Sequence, residues 1–286
     1  LGPNGAGKTT TIRMILDIIQ PSRGSISVLG HRSALEVRER IGYLPEEKGL
    51  YKKMKTWAVI AYFATLKGLT RRAAKKRALE LLERFGLGDF AEARVEVLSK
   101  GMSQKVQMLA SIAHDPDLVI LDEPFSGLDP VNQQVMEEII REMATRQRTV
   151  VFSTHVMQHA ERLCSRILLI AKGRKIFDGT LAEARQTIPR RVRIETDDDV
   201  SPLQEMKEVL SMNPKPEVQA TGGSAGQNAR CSQWELQMRD NADPQLILQA
   251  CFSKGIRLRH FNHSDPTLHE VFVELVGPEA KEASLR

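Results

Sequence analysis

The stretch LGPNGAGKTT (residues 1–10) decides the fold. Gly2, four further residues and then Gly7-Lys8-Thr9 form the spacing of a phosphate-cradling loop. Beyond it, apolar residues recur at Ile12, Ile15, Leu16 and Ile19, so the spacing predicts a helix with one buried face running from Lys8 through Ile19. The loop therefore stands at a helix N-terminus, where unpaired N–H groups and the positive end of the dipole favour anions. Gly5 and Gly7 let the backbone approach phosphate oxygens with no Cβ in the way. Lys8 can reach the β- and γ-phosphates, and the Thr9 hydroxyl can ligate Mg²⁺. A plain Gly-rich turn ahead of a helix would explain this stretch equally well if it stood alone.

Three more stretches remove that plainer reading. In DLVILDEP (117–124) a buried-strand run, Leu118 to Leu121, ends in Asp122-Glu123. Ligands of open α/β sheets sit at the carboxyl ends of strands. Asp122 is thus placed for a Mg²⁺ shell and Glu123 for polarising an attacking water. TVVFSTH (149–155) repeats the pattern, with His155 just past a β-branched strand and able to hydrogen-bond a γ-phosphate. LSKGMSQKVQMLA (98–110) puts Ser99 and Gly101 ahead of a helix, a second small-residue anion loop. Taken singly, these are an acidic strand-end turn, a structural histidine and a loop that one nucleotide does not obviously need.

Composition bounds the rest. The 286 residues suggest about two domains. A net charge of +5 is mildly basic and fits anionic ligands or a membrane surface. The longest apolar runs, such as Ile167 to Ala171, are far short of the roughly 18 residues a membrane span needs. Cys164, Cys231 and Cys251 show no paired spacing and read as thiols in a reducing compartment. His260, His263 and His269 lie close together without the spacing of a metal site.

In their order and spacing, GPNGAGKTT, LSKGMSQKVQ, LVILDEPFSGLDP and STH resemble the nucleotide-binding domain of ABC transporters, over about residues 1 to 185. The resemblance implies an α/β P-loop NTPase (ABC ATPase) fold, with a helical subdomain at about 50–97. It implies ATP and Mg²⁺ as cofactors and ATP hydrolysis as the reaction. Gly2, Pro3, Asn4, Gly5, Ala6, Gly7, Lys8, Thr9 and Thr10 would cradle the nucleotide. Thr9 and Asp122 would ligate the metal, Glu123 would be the catalytic base, and His155 the switch histidine. Family members pair head-to-tail around two ATP molecules, which accounts for the second anion loop: Ser99 and Gly101 would reach, in trans, the γ-phosphate held by a second ATP-binding subunit, a homodimer being expected. SGLDP (126–130) matches the loop crossing that interface, while Asp129-Pro130 also reads as an N-cap and first helical residue.

Two positions depart from the family pattern. Glu46 stands where a glutamine is commoner, and as a harder ligand it is expected to coordinate Mg²⁺ with altered coupling. Lys100 and Met102 replace the commoner residues of the signature loop. Family members also carry, ahead of the phosphate loop, a strand and an adenine-stacking aromatic that would lie upstream of Leu1. On this reading the chain is a fragment, and the 286 residues alone should be unstable or bind ATP poorly.

The helical subdomain, with the Glu46 loop, implies a groove for a cytoplasmic helix of an integral membrane permease, placing the chain peripherally on the cytoplasmic face of the membrane. The basic run RRAAKKR (71–77) reads as a solvated helix face, or alternatively as a contact for anionic lipid. Nucleic acid is not expected, because no aromatic residues are interleaved for base stacking. Past Pro189 the order reads βαββαβ and then a helix, a small α+β ferredoxin-like domain. RVRIET, EVQAT, SQWELQM and IRLRHF are its strands, PLQEMKEVLSM and DPQLILQACFSKG its helices. This layout and the closing DPTLHEVFVEL resemble the accessory domain of sodium- and daunorubicin-efflux ABC ATPases. The expected domains are thus 1–187 and 188–286. The expected function is the ATP-hydrolysing subunit of an ABC exporter, the alternatives being an ABC protein acting on ribosomes or DNA and an ATP-binding regulatory module without turnover.

Overall fold

The structure, a computed structural model, describes residues 1–47, 49–215, 232–239 and 242–277. The chain divides into two compact units, Leu1–Asp178 and Gly179–Arg286.

In the first unit the phosphate loop opens α1 (Lys8–Ile15), and β1 (Ile41–Leu44) follows a 3₁₀ segment, Ala34–Arg40. Next come α2 (Thr56–Leu66), α3 (Arg71–Arg84), α4 (Lys100–Ile112), β2 (Leu118–Leu121), α5 (Pro130–Thr145), β3 (Thr149–Phe152), α6 (Met157–Leu163), β4 (Arg166–Ala171) and β5 (Arg174–Thr180). β1, β2 and β3 form a parallel sheet in that order, Val119 standing opposite Gly42 and Val150. A strand covered on both faces must be apolar throughout, and LVIL is. Val119 and Leu121 join the core of α2, α3, α4 and α5, while Leu118 and Ile120 join Ile12, Val28 and Val37 on the other face.

α1 is shorter than the sequence period predicts. It ends at Ile15 because Asp17 turns into the left-handed region (φ 60°), and the amides of Ile18 and Ile19 fold back onto the Arg13 carbonyl. Ile18 and Ile19 emerge into solvent, 59% and 39% exposed, so the apolar repeat outlasts the buried face.

Residues 1 and 2 run between the end of β3 and β4. The Leu1 amino group donates to the Leu168 carbonyl (2.8 Å), the Leu1 carbonyl accepts from the Ile170 amide (2.8 Å), and the Gly2 amide donates to the Thr154 carbonyl (3.3 Å). A Cβ at Gly2 would collide with the Ile170 carbonyl oxygen, which is why glycine starts this loop. Behind Leu1, a cavity of about 570 Å³ runs along the outer edge of β3, lined by Val150, Val151, Phe152, Ile167, Leu168 and Ile12 among others. β3 has no strand partner on that side among the described residues. Val151 is accordingly 41% exposed.

The second unit carries α7 (Leu181–Arg185), β6 (Arg191–Thr196), α8 (Ser201–Gln204), β7 (Val209–Lys215), β8 (Ser232–Met238), α9 (Gln245–Ser253), β9 (Leu258–Ser264) and α10 (Leu268–Val276). Its sheet is antiparallel in the order β7-β8-β6-β9, the arrangement a ferredoxin-like βαββαβ chain produces. Val192, Ile194, Leu236 and Met238 alternate inward and meet Leu203, Ile247 and Cys251.

Here two sequence expectations are corrected. The helix expected over PLQEMKEVLSM is a single turn, and residues 209–215 are strand β7 instead. Pairing with β8 and burial of Val209 override local helix preference. The last strand runs from Leu258 to Ser264, two residues later than IRLRHF begins. EVQAT and the Gly-rich GGSAGQNA lie outside the described residues.

Candidate active site

Two strand ends and one helix start converge. Gly7 (φ 103°) caps α1 and turns the loop so that Lys8 becomes the first helical residue. Lys8 is buried, 8% exposed. Its Nζ donates to the carbonyls of Gly2 (2.8 Å) and Pro3 (3.1 Å) and lies 3.1 Å from Glu123 Oε1. The ammonium thus spans the phosphate loop and the end of β2.

Glu123 follows β2 directly and is held on both carboxylate oxygens. Oε1 faces Lys8, and Oε2 is 3.0 Å from Nδ1 of His155, which reaches in from the end of β3. Its backbone sits in the left-handed region (φ 47°), a conformation that an L-residue keeps only when its surroundings enforce it. Ser153 supplies much of that enforcement. Its Oγ donates to Asp122 Oδ1 at 2.5 Å and accepts from the Glu123 amide at 3.0 Å, so one hydroxyl fixes the Asp122 carboxylate and the Glu123 backbone. On the far side, Gln104 Nε2 donates to the Pro124 carbonyl at 2.8 Å.

Asp122 is 1% exposed, and its Oδ2 is buried with no donor in reach. A desolvated carboxylate oxygen left open in this way is costly unless a cation or water satisfies it. The open oxygen of Asp122 therefore fits a hard divalent ion.

The second anion loop lies elsewhere. Ser99 caps α4, its Oγ accepting from the Met102 amide at 3.2 Å, and Gly101 lies so close to Asn132 that a Cβ there would strike it. Lys100 lies across Gly127 in the same way. Among the described residues no hydrogen bond or ion pair joins Ser99 or Gly101 to residues 2–10, so within one chain the two loops stay apart. Asp129 caps α5, accepting from the Asn132 amide at 2.9 Å. Glu46 is exposed and lines a cavity of about 370 Å³ with Glu47, Lys100, Gln104, Gln107 and Ser126.

The comparisons with known proteins bear on this arrangement. A Bacillus subtilis ABC transporter ATP-binding protein, YhaQ, is 39% identical over 97% of this chain and 88% of its own length. The chain belongs to the ABC transporter ATP-binding proteins. Residues 1–126 match the ABC transporter family, and residues 179–276 match the C-terminal domain of DrrA1-3-like ATP-binding proteins. The Nod factor export ATP-binding protein I of Burkholderia pseudomallei is 34% identical over 98% of this chain and 87% of its own. A solved ATP-binding subunit of an ABC transporter superposes with a TM-score of 0.60 at 34% identity, covering 65% of this chain and 79% of that one. As an ABC ATP-binding subunit the chain binds and hydrolyses ATP to power transport. Among the described residues no helix is long and apolar enough to cross a membrane.

Sequence reading named Lys8, Asp122, Glu123 and His155, and the structure brings these four together. It missed Ser153, Phe125 and Gln104. Ser153 lies inside STH, but no spacing rule signals that its hydroxyl bridges the Asp122 carboxylate and the Glu123 amide at the end of another strand.

Proposed function

We propose that this ABC subunit holds MgATP on residues 2–10, with Asp122 and Thr9 on the metal and Glu123 as the base that polarises the attacking water. The observation that carries this reading is Glu123 held between Lys8 and His155. Both partners are groups that a γ-phosphate would attract. Nucleotide arrival draws Lys8 and His155 onto phosphate oxygens and releases the Glu123 carboxylate to accept a proton. The metal supplies charge neutralisation at the phosphates.

Two subunits close head-to-tail, Ser99 and Gly101 of one supplying the second anion loop for the nucleotide of the other. Their position at a helix N-terminus, apart from the chain's own phosphate loop, supports this. A separate membrane permease docks on the groove of about 310 Å³ between β1, α2 and α4, lined by Tyr43, Leu50, Phe63, Lys67 and His114. Exposed Tyr51 and Tyr62 lie beside it, packed edge-on at 5.5 Å. An apolar groove with an aromatic rim suits an amphipathic helix. The subunit then works peripherally on the cytoplasmic face of the membrane, in an exporter, as the name of its Burkholderia relative suggests.

The test is affinity purification of the full-length protein from detergent-solubilised membranes. A multi-span partner in stoichiometric amount is expected. A soluble dimer accompanied by ribosomes or nucleic acid would refute the transport assignment.

A further inference from the structure

His159 stands in the first turn of α6, four residues after His155, and the phosphate chemistry does not use it. It is 6% exposed. Its ring stacks on Phe125, centroids 4.0 Å apart and planes 12° from parallel. Phe125 stands two residues after Glu123, and Phe152, which ends β3, meets its ring edge-on at 5.9 Å and 82°. The imidazole is thus the cover on one face of an aromatic pair that joins the turn after β2 to the end of β3.

Its surroundings hold it in place. Nδ1 lies 3.6 Å from Oε1 of Glu137, a buried carboxylate on α5, the helix that Asp129 caps. Arg141 on α5 approaches the same carboxylate at 3.2 Å, and Arg162 on α6 at 3.6 Å. Glu123 is the remaining charge near the ring. Burial outweighs the pull of Glu137 and pushes the imidazole below its ordinary range, so the stack is one of two neutral rings.

Glu123 keeps a left-handed backbone, and that turn must be clamped from both sides. Ser153 holds the side before it and Gln104 holds Pro124. We propose that His159 is a positioning residue for ATP hydrolysis: its ring clamps Phe125 and so fixes the strained turn that aims Glu123. The proposal rests on Glu123 being the base. A flat ring is required, because volume alone does not stop Phe125 from rotating.

The test compares His159→Leu and His159→Phe in the full-length subunit, reading kcat and KM for ATP, with Glu123→Gln as control. Aromatic pairing of this kind predicts a loss in kcat of about fivefold to tenfold for His159→Leu with KM unchanged, and recovery to near wild type in His159→Phe. Wild-type kcat in His159→Leu, equal losses in both variants, or a parallel rise in KM would overturn the proposal. Should His159→Leu fold poorly, Phe125→Leu removes the same stack from the other side: it should lower kcat by a similar factor with KM unchanged, whereas wild-type kcat or a parallel rise in KM would refute the clamp. Turnover surviving in Glu123→Gln would instead remove the base assignment, a separate failure.

Discussion

Lys8 Nζ lies 3.1 Å from Glu123 Oε1, and both side chains are almost fully withdrawn from water. A buried pair of this kind is strained by removal of either partner, because the survivor is left as an uncompensated charge. In the proposed mechanism these two groups hold each other until nucleotide separates them.

Glu123→Gln should therefore leave ATP binding intact and lower turnover by about a hundredfold or more, the usual contribution of a positioned base. Lys8→Ala should lose affinity as well. Single-turnover kinetics with a nucleotide-binding assay separates the two. Turnover at near wild-type rate in Glu123→Gln would assign the base elsewhere.

Ser153→Ala removes a hydroxyl that serves Asp122 and the Glu123 amide together. Leaving those buried groups unpaired should cost about 1–3 kcal/mol of stability. Turnover should fall further than the stability change accounts for, because the Glu123 backbone loses its restraint. Denaturant unfolding alongside ATPase assay checks both, and an unchanged midpoint would show that the bridge contributes nothing.

Glu46→Gln tests the departure from the family pattern. Glu46 has no ion-pair partner among the described residues, although Lys100 lines the same cavity. The variant should need more Mg²⁺ for half-maximal ATPase activity. If rate and Mg²⁺ dependence both stay as they were, Glu46 is not a metal ligand.

His114 gives stability a pH dependence. Burial, with Lys67 as the next cause, lowers its pKa from 6.5 to about 4. The folded state therefore holds the neutral ring while the unfolded chain binds a proton, so its contribution is complete above pH 6.5 and is lost as pH falls toward about 4. The loss amounts to at most about 3 kcal/mol. His114→Leu should flatten the stability curve in that window, as measured by urea denaturation at a series of pH values. An unchanged slope would show that His114 titrates alike in both states.

The slot beside β3 leaves apolar surface uncovered. An extended apolar segment joined ahead of Leu1 should pair there and raise the thermal midpoint. Equal midpoints with and without such a segment would show that the edge needs no partner.

Sequence alone placed the phosphate loop ahead of α1, the buried strand LVIL, the β-branched strand TVVF, the cap Asp129, and Lys8, Asp122, Glu123 and His155 at a helix start and two strand ends. These are local properties: a period, a cap or a charge at a strand end is written in neighbouring residues. The end of α1 was misread because an apolar repeat does not report a left-handed Asp17. The strand β7 was read as helix because its state depends on pairing with β8, a partner distant in the chain. The Ser153 bridge and the stack of His159 on Phe125 each join residues about thirty positions apart. Such contacts leave no periodic trace in the sequence; only the parallel pairing of β2 with β3, by bringing two strand ends side by side, decided them.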